Sequence, residues 1–172
     1  MKYYILRSDS DPKVLGVSNG IKQVEIRKNG FENKTEYERL MEILGANEYW
    51  NYVDKIQNLE FNIENAELIK GANLTDFLQF GPHLFSCPFL ISEAVKEILI
   101  GFNLSGIKFW PAKVVKNRQK LNYYLLHINS IPNNAIDFKR STFYVGNSLN
   151  GGKYYQFENS GEFQAFKNRI NF

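Results

Sequence analysis

The sequence predicts an α+β fold, a mostly antiparallel sheet with a few packed helices. Three observations predict it. Short β-prone runs alternate with turn residues such as Asn29-Gly30, Gly81-Pro82 and Ile131-Pro132-Asn133-Asn134. Apolar residues recur at helical spacing behind capping side chains at Thr35–Leu44, at Ser92–Phe102 and from Ser160 onward. The two kinds of segment are mixed without a regular strand–helix alternation, which is the pattern of α+β and not of α/β. A chain of 172 residues suits one compact domain, read here as 1–172.

The elements follow in order. Lys2–Arg7 is apolar and β-prone and predicts an opening strand, closed by the turn cluster Ser8–Pro12. Ser-Asp-Ser-Asp at 8–11 lacks the glycine and terminal glutamate of a calcium loop. Ile21, Val24 and Ile26 predict a second strand, ended by Asn29-Gly30. Thr35 and Glu38 have the spacing of a capping box, Tyr37, Leu40, Met41 and Leu44 share one helical face, and Gly45 is a natural stop. Glu48–Ile56 predicts a further helical segment. Leu59–Ile63 and Ala66–Lys70 predict two strands.

Asp76 reads as a local cap or turn carboxylate bonded to backbone N–H groups. Ser92 is a good N-cap, Glu93 complements the positive helix start, and Ile91, Val95, Ile98, Leu99 and Phe102 form the predicted buried stripe. Ile107–Val115 and Leu121–Ile128 predict a hairpin around Lys116–Lys120. Pro111 cannot donate a ladder bond, so an interruption, bulge or edge is expected there. Ser141–Val145 and Lys153–Phe157 predict strands around a polar loop. Ser160 then starts a last helix with Phe163, Phe166 and Ile170 on one face.

Charge and composition restrict the function classes. Lys and Arg number 21 against 18 Asp and Glu, a net charge of +3 with the signs interleaved. The densest basic stretch, Lys113, Lys116, Arg118 and Lys120, falls at a predicted hairpin end and reads as a solvated turn, so no nucleic-acid partner is expected. Met1–Leu6 is too short for a signal-peptide core, and no run approaches the ~18 uncharged apolar residues of a membrane span, so a cytoplasmic location without a membrane partner is expected. One cysteine excludes an internal disulfide. The chain holds 14 Phe, 10 Tyr and 2 Trp, more aromatics than a small interior takes up, and this leaves some as interface anchors.

The residues for chemistry are few. His83 and Cys87 are four apart, but Pro82 and Pro88 oppose a helix, and an extended backbone separates the two side chains by about 13 Å. Cys87 therefore reads as a buried, inert thiol. His127, in the run Tyr124-Leu125-Leu126-His127-Ile128, reads as a structural strand histidine. Two His and one Cys make no zinc set, the serines lack a Gly-x-Ser-x-Gly elbow, and phosphate-loop and dinucleotide patterns are missing. The expectation is no catalytic residue, no metal and no cofactor. Tyr49, Trp50 and Tyr52 are the candidate partner-binding residues, the other reading being a capping cluster over a core edge. On a helix 49 and 52 share a face while 50 points about 100° away, so they cannot all point inward.

Phe89–Val114, FLISEAVKEILIGFNLSGIKFWPAKV, resembles the central segment of a bacterial family of polymorphic-toxin immunity proteins. The likeness lies in the Phe-Leu-Ile-Ser-Glu start, the Val-Lys-Glu-Ile-Leu helix and the aromatic-Pro-Ala-Lys-Val strand. Met1–Ile5, Leu74–Leu78, Asn122–His127, Ile136–Phe138 and Ser141–Tyr144 add shorter matching strings. The resemblance implies a non-enzymatic immunity protein that binds a cognate toxin stoichiometrically inside the producing cell, and it carries over no catalytic residue. Family members continue into a second serine-initiated helix, so the resemblance is to a short or C-terminally truncated member. An inhibitor mimicking nucleic acid would be acidic, so the net charge of +3 disfavours a nuclease partner and leaves Glu32, Glu36 and Glu38 as a local acidic patch. The rival readings are a regulatory or scaffold module unrelated to toxins, and an enzyme with a site that no motif marks.

Overall fold

The computed structural model describes residues 9–18, 22–45, 52–102, 104, 106–129, 135–147 and 151–170. The predicted strand Lys2–Arg7, Ile21 and positions 48–51 of the predicted Glu48–Ile56 helix lie outside these residues. Where the sequence reading takes 1–172 as one domain, contacts gather the chain into two compact units, Met1–Asn129 and Ser130–Phe172. The class is α+β, as predicted.

The first unit holds seven strands in one sheet. They are β1 (Val24–Ile26), β2 (Ile63–Leu68), β3 (Phe77–Leu78), β4 (Phe80–Gly81), β5 (Phe89–Ser92), β6 (Ile107–Lys116) and β7 (Gln119–Ile128). Their order is β3-β5-β7-β6-β2-β1-β4, with β1–β4 and β2–β6 parallel and the remaining pairs antiparallel. β3 and β4 stand at opposite ends of that order, yet only Gln79 separates them in the chain. Phe77–Gly81 is therefore one extended segment with β5 on one side and β1 on the other, and the sheet closes into a ring. At the closure the Gln79 carbonyl accepts from the N–H groups of Gln23 (2.9 Å) and Val24 (3.1 Å).

Gln23 seals this seam. It is fully buried. Its Oε1 accepts from the Gln79 N–H (3.3 Å), and its Nε2 donates to the Asn73 carbonyl (2.9 Å) and Thr75 Oγ1 (3.3 Å).

Strand side chains alternate between the two faces of a sheet. Leu90, Trp110, Ala112, Val114, Tyr123 and Leu125 face the enclosed core with Val24, Ile26 and Ile63. Ile91 and Leu126, each next to one of these, face outward into a second cluster with Val95. Leu40, Ile43 and Leu44 of α2 (Lys34–Leu44) join the enclosed core, and Tyr37 and Met41 pack against it. The outer cluster lies under α4 (Glu93–Ile100). Two one-turn helices, α1 (Pro12–Leu15) and α3 (Val53–Ile56), complete the unit.

Several expectations shift by a residue or two. The cap of α2 is Asn33, not Thr35: Asn33 Oδ1 accepts from the Thr35 N–H (3.0 Å) and hydroxyl (2.7 Å). Glu38 bonds to Lys28 Nζ and closes no capping box. Asn29-Gly30 sits in the 3-10 turn Lys28–Gly30, where a Cβ on Gly30 would stand 2.3 Å from the Asn65 carbonyl oxygen. The two strands expected at 59–63 and 66–70 are one strand with a buried lead-in at Leu59 and Phe61.

The β6–β7 hairpin is as predicted, closed by the tight turn Asn117-Arg118 with φ of 50° and 67°. Pro111 lies within continuous β6. The irregularity it predicts falls in its neighbour: the β2–β6 ladder starts at Ala112 and carries a register shift between Ile63 and Ala66.

Ser92 caps α4 as predicted, its Oγ accepting from the Val95 N–H (3.4 Å). Asp76 is local in role but different in partner, because Oδ1 accepts from the Ser92 hydroxyl (2.7 Å) and so orients the cap. The stripe is corrected. Val95 is buried and Leu99 half-buried, but Ile98 and Phe102 are 61% and 63% exposed. At 100° per residue Ile98 lies about 80° from the middle of the Val95–Leu99 face, and Phe102 follows the Gly101 cap, where helical phase no longer applies.

The second unit is a hairpin of β8 (Phe143–Asn147) and β9 (Gly151–Tyr155) with α5 (Ser160–Arg169). The α5 cap is Asn159, whose Oδ1 accepts from the Glu162 N–H (3.0 Å), one residue before the predicted Ser160. A two-stranded hairpin is marginal without apolar cover. Here Phe163 and Phe166 of α5, as predicted, provide it, with ring centroids 4.9 Å from Phe143 and 4.4 Å from Tyr155 respectively.

Candidate interaction surface

Of the predicted partner-binding residues, Tyr49 and Trp50 lie outside the described residues. Tyr52 is half-buried and packs against the enclosed core, with the Lys55 ammonium 4.9 Å from its ring centroid. A different apolar surface is exposed. Ile98, Ile100, Phe102 and Leu104, at the end of α4 and just beyond it, are 61%, 61%, 63% and 45% exposed. Four large apolar side chains exposed within seven residues make this end of α4 unusually apolar, with Ile98 and Ile100 about 160° apart on two sides of it. The sequence reading assigned Ile98 and Phe102 to the core and passed over Ile100 and Leu104. The signal was present in the sequence: Gly101, a stop residue, ends the helix before its stripe does.

This apolar end is carried on a fixed element. Besides the Ser92–Asp76 cap, Tyr124 donates its hydroxyl hydrogen to Glu93 Oε2 (2.5 Å), and Lys96 Nζ lies 3.2 Å from Glu93 Oε1 and 3.8 Å above the Tyr124 ring. The Tyr124 hydroxyl first, then Lys96, holds the Glu93 carboxyl below the usual carboxylate range. Glu97 is exposed and makes no ion pair among the described residues, and the last turn of α4 contains no basic residue.

The residues considered for chemistry stand apart. Cys87 is buried, and burial pushes its thiol well above the ordinary range, so thiolate is scarce. His83 is exposed and meets Phe85 edge-on at 4.9 Å. At the tip of the β6–β7 hairpin, Lys120 pairs with Glu64 (3.1 Å) and Lys113 Nζ donates to Asn122 Oδ1 (2.6 Å), the partnered, solvated end that the sequence predicts. In the acidic patch, Glu38 pairs with Lys28, and Glu36 Oε2 accepts from the Asn62 N–H at 3.5 Å. Among the described residues no group of three or more His, Cys, Asp or Glu could hold a metal ion, and no helix is long and apolar enough to cross a membrane.

His127 is 2% exposed and its ring centroid lies 5.5 Å from that of Trp110. Its Nε2 has no hydrogen-bond partner. Burial first, then the Lys108 ammonium, lowers its pKa to about 4. The folded state thus favours the neutral ring, whereas the unfolded chain titrates near ~6.5. The stability this contributes is complete above that value and is lost as pH falls through about 4. The loss should reach about 3 kcal/mol, read from urea unfolding at pH 7, 5 and 4. His127→Gln should remove that acid-dependent component. Identical pH profiles for the two proteins would take His127 out of the acid response.

Compared with protein-family models, curated proteins and solved structures, the chain matches none.

Proposed function

We propose that this chain is an immunity protein that binds a cognate protein toxin stoichiometrically in the cytoplasm of the producing cell and performs no reaction on it. The observation that carries the reading is the exposed apolar run Ile98, Ile100, Phe102 and Leu104. Covering such side chains is favourable through release of water from apolar surface, the main driving force of protein association. The run also falls inside Phe89–Val114, the segment that resembles the immunity family. The exposed Glu97 carboxylate and the carbonyl end of α4 favour a partner that presents a cation beside its apolar contacts.

The test is whether a reading frame adjoining this gene encodes a toxin and whether co-expression of this chain with it preserves survival, with the affinity of the purified pair measured in parallel. The unaltered chain should protect. Phe102→Asp should weaken binding by at least ~30-fold and abolish protection, with melting unchanged because the side chain is exposed. Failure of the unaltered chain to bind or protect would sink the immunity reading. Full protection by Phe102→Asp would move the contact elsewhere, and Tyr52→Ala then tests the surface predicted first.

A further inference from the structure

Beside the closure of the sheet, a cavity of about 380 Å³ opens between the Phe77–Gly81 segment and the loop leading into β5. Phe80, Leu84 and Cys87 supply apolar walls. Three polar side chains also line it: Lys22, Gln79 and His83. Each lacks a partner for its polar atoms among the described residues. Gln79 is only 8% exposed, and its hydrogen bonds are made by its main chain, leaving the side-chain amide unused. Lys22 makes no ion pair among the described residues. His83 has a ring contact with Phe85 and no hydrogen bond among the described residues.

The position of Lys22 depends on a glycine. A Cβ on Gly81 would stand 2.5 Å from Lys22 Nζ and 2.8 Å from its Cε. The bare backbone at 81 thus lets the lysine lie across the strand and bring its ammonium to the cavity. The Gln79 amide borders the open cavity, and a ligand there gains hydrogen bonds from it. Apolar walls with a few convergent polar groups are the general form of a small-molecule site.

We infer that this cavity binds a small carboxylate with an apolar body, of the size of an arylacetate. The apolar body fills the space between Phe80 and Leu84. The carboxylate accepts from Lys22 Nζ and the Gln79 amide, with His83 at the rim. A neutral ligand of the same shape would leave the Lys22 charge unpaired. An inorganic anion would leave the apolar walls uncovered.

Phenylacetate and its neutral counterpart phenylacetamide are the probes, titrated calorimetrically into the full chain. Cys87 lines this cavity and is the one cysteine in the sequence, so its alkylation rate, compared at equal stabilisation of the fold, reports whether the cavity is occupied. Phenylacetate should bind with a Kd of about 1 mM, slow Cys87 alkylation, and bind about tenfold more tightly than phenylacetamide. Lys22→Met, at an exposed side chain, should remove that preference without changing melting. Gly81→Ala should weaken phenylacetate by displacing the lysine. Equal binding of the two probes, or a preference that survives Lys22→Met, would overturn the carboxylate assignment. Absence of saturable binding, or binding without protection of Cys87, would overturn the site.

Discussion

Trp110→Ala should destabilise the first unit by about 3–5 kcal/mol, the largest single-site loss expected in this chain. The side chain is fully buried inside the closed sheet and stacks on Phe61 with ring centroids 4.7 Å apart. Truncation removes both faces of that contact and leaves a cavity that a ring of paired strands cannot collapse to fill. Trp110→Phe separates volume from hydrogen bonding. The indole Nε1 donates to the Leu59 carbonyl at 2.7 Å, but Lys108 Nζ also donates to that oxygen at 2.8 Å. Losing the indole leaves the carbonyl satisfied, so Trp110→Phe should cost only about 1–2 kcal/mol. Urea unfolding followed by circular dichroism measures both. Equal costs for the two variants would show that the hydrogen bond, and not the packed volume, dominates.

Gln23→Leu should cost about 2–4 kcal/mol although it replaces a polar core residue with an apolar one. The reason lies in what it leaves behind. The Asn73 carbonyl loses its Nε2 donor, Thr75 Oγ1 loses another, and the Gln79 N–H loses its acceptor, all at the place where the sheet closes. Gln23→Glu sharpens the test. It keeps an acceptor for Gln79 but removes the donor and buries a charge, so its deficit should shrink as the pH falls and the carboxyl protonates. A cost below about 1 kcal/mol for Gln23→Leu would mean that the seam is held by its backbone bonds alone.

The elements most legible in the sequence are those specified by neighbours along the chain. The β6–β7 hairpin is marked by two long β-prone runs around a short polar turn. The helix α4 is marked by Ser92 and the Val95–Leu99 spacing, and α5 by Phe163 and Phe166. Closure of the sheet was not legible. It is made by two-residue strands on either side of Gln79, too short for a periodicity, and their partners are remote in sequence: Val24 meets Phe80, and Phe77 meets Ile91. The caps of α2 and α5 were misplaced because Asn33 and Thr35, and Asn159 and Ser160, are all competent caps. Local composition does not choose between such neighbours.

The candidate surface was misread for a related reason. Ile98 and Phe102 are apolar at near-helical spacing, the same signal that a core face gives, but Ile98 lies about 80° off the buried face and the helix ends at Gly101 before Phe102. Tyr49 and Trp50 were found by the opposite logic, as too many aromatics for one face. Tyr52, the described member of that group, packs inward.

Closure also limits how the first unit can be recognised. Each strand in the ring has a strand on both flanks, and Phe77–Gly81 serves as the common flank of β5 and β1. Among the described residues a foreign segment therefore finds vacant backbone only where a long strand outruns its neighbour, at Ile107–Pro111 on the β2 flank of β6 and at Gln119–Asn122 on the β5 flank of β7. Along the paired stretches a partner must read side chains and shape. Main-chain pairing is largely blind to residue type, whereas side-chain recognition can be rewritten one substitution at a time. The scaffold can thus diverge in the partner it selects while the ladder that holds it together stays untouched.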